Sequence, residues 1–176
     1  MVGGRSVTWK EKIFKTKWYQ GDTANLSIGQ GYLLVTPIQM AVLTAAIANG
    51  GTVFRPFLVN KIEYPDRKIE RKRPITQRTV SIFPRTKKML DAGLSGVVEY
   101  GTGQMAKIAG ISIAGKTGTV QTSGKDHAWF VCYAPLPNPE VVIAILVEHG
   151  GKGGIDAAPI AREILNEYMV NSRDTK

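Results

Sequence analysis

The chain has 176 residues and a net charge of +9, and 43% of its residues are hydrophobic, 21% charged and 8% aromatic. That length and balance are typical of one globular domain or part of one, and they exclude wholesale disorder and collagen-like repetition. One cysteine and two histidines exclude a disulfide framework and leave too few ligands for a metal site built from these residues. The composition therefore predicts neither a metal nor another cofactor.

The first 32 residues are predicted to be irregular. Residues 1–20 are basic and contain interspersed aromatic side chains, but their apolar positions follow no regular period. Residues 21–32 are rich in glycine, asparagine, serine and aspartate, which is typical of a loop.

A helix is predicted for residues 38–48. Thr36 and Gln39 have the spacing of a capping box, and Pro37 between them suits the first helical position. The body of the segment is apolar on almost every face, which predicts a helix that is buried all round. The sequence Asn49-Gly50-Gly51 is predicted to end it.

The middle of the chain, residues 52–83, alternates short apolar and basic pieces and is interrupted by three prolines, which predicts short strands and loops. Residues 61–90 carry ten cationic and three acidic side chains. This excess favours either a solvated surface or an anionic partner. Nucleic acid is not predicted as that partner, because the run Arg71–Arg73 has no interleaved aromatic residues and no nucleic-acid-binding motif is present.

A second helix is predicted for residues 84–100, with one apolar face. That face is formed by Met89, Leu90, Leu94, Val97 and Val98.

Three strands are predicted after it, at residues 108–120, 128–134 and 141–147. The third is a continuous apolar run, which predicts a central strand covered on both faces. The short proline-rich connection between the last two strands predicts an antiparallel hairpin.

A glycine-rich turn at residues 150–154 is predicted to lead into a last helix. Asp156 would cap this helix, and Ile160, Ile164 and Tyr168 recur at helical spacing. The predicted fold class is α+β, a small antiparallel sheet of about three strands packed with helices.

The motif that indicates chemistry is Lys116-Thr117-Gly118-Thr119, inside the first predicted strand. Thr117 and Thr119 have the same parity, so their hydroxyls share one face and are suited to bind a carboxylate. Lys116 supplies positive charge, and a backbone N–H of the strand is suited to face a developing oxyanion. A substrate lying along the edge of this strand would pair with its main chain.

Two other interpretations of the motif stay open at this point. Gly110, Gly115, Lys116 and Thr117 literally satisfy the spacing of a phosphate-binding loop. The residues between the glycines alternate like a strand, and those after Thr117 are a poor helix start, which disfavours that interpretation. The other is a purely structural turn.

Lys116-Thr117-Gly118-Thr119 resembles the third signature of the penicillin-recognising serine enzymes, whose set is Ser-x-x-Lys, Ser-x-Asn and Lys-Thr-Gly. Further blocks resemble class B penicillin-binding proteins, specifically the elongation type called penicillin-binding protein 2. The resemblance extends from about residue 9 to residue 170, and its blocks are residues 17–23, 27–32, 36–41, 48–51, 127–130 and 158–162.

The resemblance implies a transpeptidase fold like that of penicillin-binding proteins and serine β-lactamases. It also implies a D,D-transpeptidase that cross-links peptidoglycan stem peptides through an acyl-serine and is acylated by β-lactam antibiotics. Lys116 would help to hold the substrate carboxylate and tune the proton network, and Thr117 and Thr119 would hydrogen-bond that carboxylate. Gly118 would belong to the same substrate-binding strand. The Thr119 N–H would be half of the oxyanion hole.

The sequence departs from that family in one respect: no serine is followed by lysine three residues later, and none begins a Ser-x-Asn triplet. We therefore expect residues 1–176 to be a single, incomplete transpeptidase domain, its C-terminal portion, which lacks the nucleophile and is inactive alone. The expected partners are the upstream half of that domain and membrane proteins of the elongation machinery, including a glycan polymerase. The complete protein would lie at the outer face of the cytoplasmic membrane, in the periplasm, through an N-terminal anchor absent here.

Two alternatives remain from the sequence. One is a non-catalytic penicillin-sensing or scaffolding module of the same fold. The other is a D-Ala-D-Ala carboxypeptidase or β-lactamase relative, which the Trp-Tyr-Gln-Gly-Asp-Thr block at residues 18–23 disfavours. Cys132 is expected to be a packed neutral thiol, His127 to support a strand or loop near the site, and His149 to end a strand.

Overall fold

The structure is a computed structural model that describes residues 7–174, with side chains described as far as residue 169. Among these residues, no helix has the length and apolar character needed to cross a membrane. The helices are α1 (Val7–Phe14), α2 (Gln20–Ser27), α3 (Pro37–Ala48), α4 (Pro84–Glu99) and α5 (Ala158–Asp174). The strands are β1 (Thr52–Arg55), β2 (Lys61–Glu63), β3 (Ile69–Arg71), β4 (Ile75–Thr79), β5 (Ala114–Val120), β6 (His127–Ala134) and β7 (Val141–Val147).

The main sheet is antiparallel, with strand order β5-β6-β7. Helices α3 and α4 pack on one face, where Ala114 and Tyr133 meet Ala48 and Leu94. Helix α5 packs on the other face, where Phe130 and Leu165 belong to the larger apolar core. The α+β prediction and the antiparallel hairpin between the last two strands are therefore confirmed.

The prediction that the third strand is central is wrong. Within the described residues β6 lies in the middle of the sheet and β7 at its edge. The apolar run of β7 reflects coverage of both its faces, because α3 contacts one and α5 the other. A continuous apolar run indicates coverage of the two faces of a strand and carries no information about its lateral neighbours.

The predicted strand at residues 108–120 is also too long. Ile108 and Ile111 form an isolated bridge around a turn in which Gly110 has a φ of +77°, and the strand begins at Ala114. The short strands predicted for residues 52–83 are confirmed as two separate antiparallel pairs, β1 with β4 and β2 with β3.

Helices α1 and α2 correct the prediction that the first 32 residues are irregular; residues 1–6 lie outside the described residues. Lys10 Nζ lies 2.5 Å from Asp22 Oδ2 and donates to the Lys17 carbonyl at 2.9 Å. The hydrogen bond between the Lys10 and Asp22 side chains raises the pKa of Lys10 and lowers the pKa of Asp22. This long-range ion pair organises the segment without leaving any periodic apolar pattern in the sequence.

Helix α3 begins as predicted, because the Thr36 hydroxyl and the Gln39 side chain form a reciprocal capping box. Its predicted burial all round is wrong: Ile38 is 54% exposed and Leu43 53% exposed. The residues of α3 that are buried are Thr44, Ala46 and Ala48. The buried side chains of α3 are therefore small ones, whereas two of its large apolar side chains are exposed, which a count of apolar positions does not reveal.

Helices α4 and α5 also differ from the sequence-based expectation in which residues they bury. In α4, Val98 is buried as predicted, but Met89 is 66% exposed. In α5, the predicted recurring residues Ile160, Ile164 and Tyr168 form an exposed stripe. The buried face of α5 consists of Ala158, Ala161 and Leu165, which pack closely on the sheet.

A π-helical turn, Gly153–Ala157, runs directly into α5 and lies flat on β5 and β6. A Cβ on Gly153 would lie 2.2 Å from the Trp129 carbonyl oxygen and 2.4 Å from that of Gly118. A Cβ on Gly154 would lie 2.1 Å from the Thr102 carbonyl oxygen. Asp156 accepts the Lys152 N–H at 2.8 Å, so it closes this turn and does not cap α5 directly.

We expect Gly153→Ala to destabilise the protein by about 2 kcal/mol, because the added methyl group forces the turn away from the sheet. Chemical denaturation measures the free energy of unfolding. Gly124→Ala is the matched control, since a Cβ there meets nothing within 4 Å. Equal stability of the two variants would contradict the close approach described here.

Cys132 is fully buried, as expected, and burial raises the pKa of its thiol to about 12 from an ordinary value of 9.0. We therefore expect iodoacetamide at pH 8 to leave the folded protein unmodified and to alkylate it in denaturant. Rapid alkylation of the folded protein at pH 8, detected by mass spectrometry, would contradict the expected protection of the thiol.

The raised pKa of Cys132 also predicts a pH dependence of stability. Because the unfolded thiol ionises first, Cys132 makes the free energy of unfolding decrease as the pH rises from 9 towards 12.

Candidate active site

The pairing of β5 with β6 divides the Lys-Thr-Gly-Thr side chains between two faces. Lys116 lies opposite Val131, Thr117 opposite Phe130 and Thr119 opposite Ala128. Thr117 and Thr119 therefore share the face covered by α5 and the turn Gly153–Ala157. Lys116 lies on the opposite face, towards α3 and α4.

The outer edge of β5 carries the backbone groups of the two threonines. The Thr117 carbonyl accepts a hydrogen bond from Lys116 Nζ at 2.6 Å, and the Thr119 carbonyl accepts one from Gln30 Nε2 at 3.0 Å. In an antiparallel strand, the N–H and C=O of one residue point to the same side. The N–H groups of Thr117 and Thr119 therefore point away from β6, out of the open edge of the sheet.

Both threonine hydroxyls are held by neighbouring segments. Thr117 Oγ1 lies 2.7 Å from Thr102 Oγ1, in the connection that follows α4. Thr119 Oγ1 accepts the Gly153 N–H at 3.5 Å, the long limit of a hydrogen bond. These contacts orient the two hydroxyls beside the outward-pointing N–H groups.

Lys116 is exposed and borders an apolar pocket of about 200 Å³ between α3, α4 and the sheet. Met40, Leu43, Leu94 and Tyr133 contribute to the pocket wall. The Lys116 side chain therefore lies between solvent and the apolar wall of this pocket.

A polar contact behind this pocket joins α4 to the central strand. The Tyr133 hydroxyl donates to Asp91 Oδ1 at 2.6 Å, and Lys87 Nζ lies 2.6 Å from both Asp91 oxygens. Burial, and next the hydrogen bond with Asp91, raises the pKa of Tyr133 above its usual range. Tyr133 therefore stays a hydrogen-bond donor and holds α4 beside the face that carries Lys116.

The two histidines lie together where β5, β6 and β7 meet their loops. The His149 N–H donates to His127 Nδ1 at 2.9 Å, and His149 Nδ1 lies 3.0 Å from the Lys125 carbonyl oxygen. These contacts fit the expected supporting role of His127 and the expected position of His149 at the end of a strand.

The phosphate-loop interpretation is wrong, because Ala114–Val120 is a regular strand paired along its length with β6. Three residues near the motif were not singled out from the sequence: Gln30, Thr102 and Gly153. Gln30 and its flanking glycines fall within one of the family-like blocks, so a signal for it was present. Gly153 was predicted merely as part of a turn, and Thr102 gives no signal.

Comparisons with known proteins identify the family of the chain. The family model described as the penicillin-binding protein transpeptidase domain matches residues 10–166. The peptidoglycan D,D-transpeptidase MrdA of Haemophilus influenzae is 35% identical, over 92% of this chain and 28% of its own length. The chain thus spans about three tenths of the length of the curated relatives it matches.

Two solved structures are similar over most of the chain. The crystal structure of Pseudomonas aeruginosa PBP2 in complex with WCK 5153 matches with a TM-score of 0.76 and 35% identity, over 93% of this chain and 36% of that one. The imipenem acyl-enzyme complex of penicillin-binding protein A from M. tuberculosis matches with a TM-score of 0.74 and 36% identity, over 82% and 33%. This chain belongs to the penicillin-binding protein transpeptidase family and is of the PBP2 type.

Proposed function

We propose that this chain supplies the Lys-Thr-Gly-Thr strand of a peptidoglycan D,D-transpeptidase. The observation that carries the proposal is the open edge of β5, where the Thr117 and Thr119 N–H groups point outward beside Lys116. Such an edge offers hydrogen-bond donors and positive charge to an anionic substrate. The relatives named peptidoglycan D,D-transpeptidase MrdA support the same reaction.

In the proposed reaction a serine oxygen attacks the carbonyl carbon of a D-Ala-D-Ala bond. The Thr119 N–H donates to the oxygen that becomes negative in the tetrahedral intermediate. The last D-Ala leaves with a proton on its amine, and the acyl group then passes from the serine to the amine of a neighbouring stem peptide. A β-lactam acylates the same serine when its ring opens, and it releases no leaving group.

The chain's own residues bind and orient the substrate. Lys116 Nζ reaches the open edge of β5 at the Thr117 carbonyl, and from there its positive charge attracts the terminal carboxylate. The Thr117 and Thr119 hydroxyls, on the other face of this edge strand, provide hydrogen bonds to the same carboxylate across the edge. Gly118 has no side chain, so it leaves the strand unobstructed between Thr117 and Thr119. Fixed donors of this kind require no reorganisation during the reaction, which is why they stabilise the transition state more than the bound substrate.

The nucleophile belongs, in this proposal, to a preceding portion of the same transpeptidase domain. No Ser-x-x-Lys or Ser-x-Asn triplet occurs among the 176 residues. Residues 1–176 are therefore assigned to one incomplete domain, whose upstream half is the first partner. The relatives' names support a role in peptidoglycan synthesis, and a similar solved structure whose name describes polymerization and crosslinking by a peptidoglycan synthase complex supports a glycan polymerase as a further partner. The proposal extends to the outer face of the cytoplasmic membrane as the place of the complete protein and to membrane proteins of the elongation machinery as its other partners.

A second candidate function is a non-catalytic penicillin-sensing or scaffolding module of the same fold, with which the missing Ser-x-x-Lys is also consistent. The two candidates differ in turnover: a transpeptidase forms cross-linked stem peptides, whereas a sensor binds the antibiotic without doing so. Mass spectrometry of products from stem-peptide substrates distinguishes them.

We expect Lys116→Ala in the full-length transpeptidase to reduce the rate constant of penicillin acylation by roughly 100-fold, a magnitude typical of losing one electrostatic stabiliser of the transition state. Stopped-flow measurement of a fluorescent penicillin gives this constant. Lys88→Ala is the control, because Lys88 is exposed on α4. A wild-type rate in Lys116→Ala would contradict the assigned role.

We expect the 176-residue chain alone to form no acyl-enzyme with a labelled penicillin, since it contains no Ser-x-x-Lys. Denaturing gel electrophoresis with fluorescence detection measures the label. Mixing the chain with its upstream half is expected to restore labelling. A stable covalent adduct on the isolated chain would overturn the proposal that the nucleophile lies elsewhere.

A further inference from the structure

The turn Gly29-Gln30-Gly31 has a strictly defined backbone. Gly29 has a φ of +76° and Gly31 a φ of +72°, values that residues other than glycine rarely adopt. The Gln30 N–H donates to the Asn25 carbonyl at 2.9 Å, which closes the turn on the end of α2. The position of the Gln30 backbone is therefore set by the turn on both sides.

The segments on either side of this turn are anchored as well. Upstream, α2 is held by the Lys10–Asp22 ion pair. Downstream, the Tyr32 ring packs against Phe14 with 5.3 Å between ring centroids, and Lys10 Nζ lies 5.0 Å from the Tyr32 ring centroid. A cation held between a carboxylate and an aromatic ring resists displacement, so Gln30 stands between two fixed points.

From this position Gln30 reaches the end of β5. Its Nε2 donates to the Thr119 carbonyl at 3.0 Å, across 89 residues of sequence. Thr119 is the next-to-last residue of β5, and the outer edge of β5 is unpaired within the described residues. Strand ends without a lateral neighbour fray readily, because few contacts oppose their motion.

On the side that faces Gln30, few side chains pack against the end of β5. A cleft of about 680 Å³ separates the segment around Gln30 and Leu34 from Val120, Trp129 and Leu146. The hydrogen bond from Gln30 crosses the margin of this cleft. It therefore restrains a peptide group that side-chain packing on that side does not hold.

We propose that Gln30 is a positioning residue of the transpeptidase site. By holding the Thr119 carbonyl, it fixes the peptide plane between Thr119 and Val120. Because the N–H and C=O of one residue in an antiparallel strand point to the same side, this restraint passes through the extended backbone of Thr119 and aims the Thr119 N–H at the developing oxyanion. The inference rests on the proposed function, and it adds to it a residue from a different segment that acts through Thr119 without touching the substrate.

Gln30→Met in the full-length transpeptidase tests this, because methionine has a similar length but no N–H donor. We expect the acylation rate constant for a penicillin to fall between ten-fold and 100-fold, since small misplacement of a catalytic donor has effects of roughly that size. The constant for binding before acylation is expected to change less than two-fold. Gln77→Met, at an exposed position of β4, is the matched control.

A spectroscopic measurement separates positioning from general stability. The infrared stretching frequency of the acyl-enzyme ester carbonyl falls as hydrogen bonds to that oxygen strengthen. We expect this band to move to higher frequency in Gln30→Met and to stay unchanged in Gln77→Met. An unshifted band, or an acylation rate within two-fold of the wild type, would overturn the proposal, whatever the thermal stability of the variant.

If Gln30→Met does not accumulate as folded protein, Gln30→Asn carries the test. It keeps the amide but withdraws it by one methylene group, so the same loss of rate and the same band shift are expected. A wild-type enzyme that is not acylated at all would refute the proposed function. A wild-type enzyme that is acylated, with Gln30 variants that match it, would refute this inference alone.

Discussion

The pairing register of β5 with β6 is the constraint on which the candidate site depends. With Lys116 opposite Val131 and Thr119 opposite Ala128, the lysine faces α3 and α4, whereas the threonine hydroxyls face the turn before α5. A slip of one residue would exchange the two faces and turn the Thr117 and Thr119 backbone groups towards β6. The register is fixed because β6 is buried on the α5 face at Ala128, Phe130, Cys132 and Ala134 and cannot expose these residues without losing the main core.

The open edge of β5 differs from an ordinary sheet edge. An unpaired strand normally shows alternating N–H donors and C=O acceptors, and so attracts another strand. Here the outward carbonyls of Thr117 and Thr119 already accept hydrogen bonds from Lys116 and Gln30, so the edge mainly offers donors. That imbalance suits an oxyanion or a carboxylate, and it disfavours pairing with a further strand that needs acceptors.

How much the sequence could predict follows from the range of the interactions involved. The capping box at Thr36 and the apolar strands were predictable, because each depends on residues a few positions apart. Helices α1 and α2 were not, because the Lys10–Asp22 pair and the rings around it depend on tertiary contacts that leave no period. The prediction that α3 is buried all round is wrong, and the recurring residues of α5 lie on its exposed side, for a related reason: small residues such as Ala46 and Ala161 allow the closest approach to the core, whereas periodicity weights large ones.

The catalytic motif itself shows why chemistry was easier to predict than geometry. Lys116 and Thr119 are recognisable by residue type, but the close packing around Gly118 comes from residues outside the motif. A Cβ on Gly118 would lie 3.2 Å from Trp129 Cβ on one face, while Gly153 lies directly against the Gly118 backbone on the other. The strand is therefore pressed between an aromatic side chain and a glycine turn that is distant in sequence. A Lys-Thr-Gly tripeptide without that turn would keep its charge and hydroxyl but lose the support that aligns them along the edge.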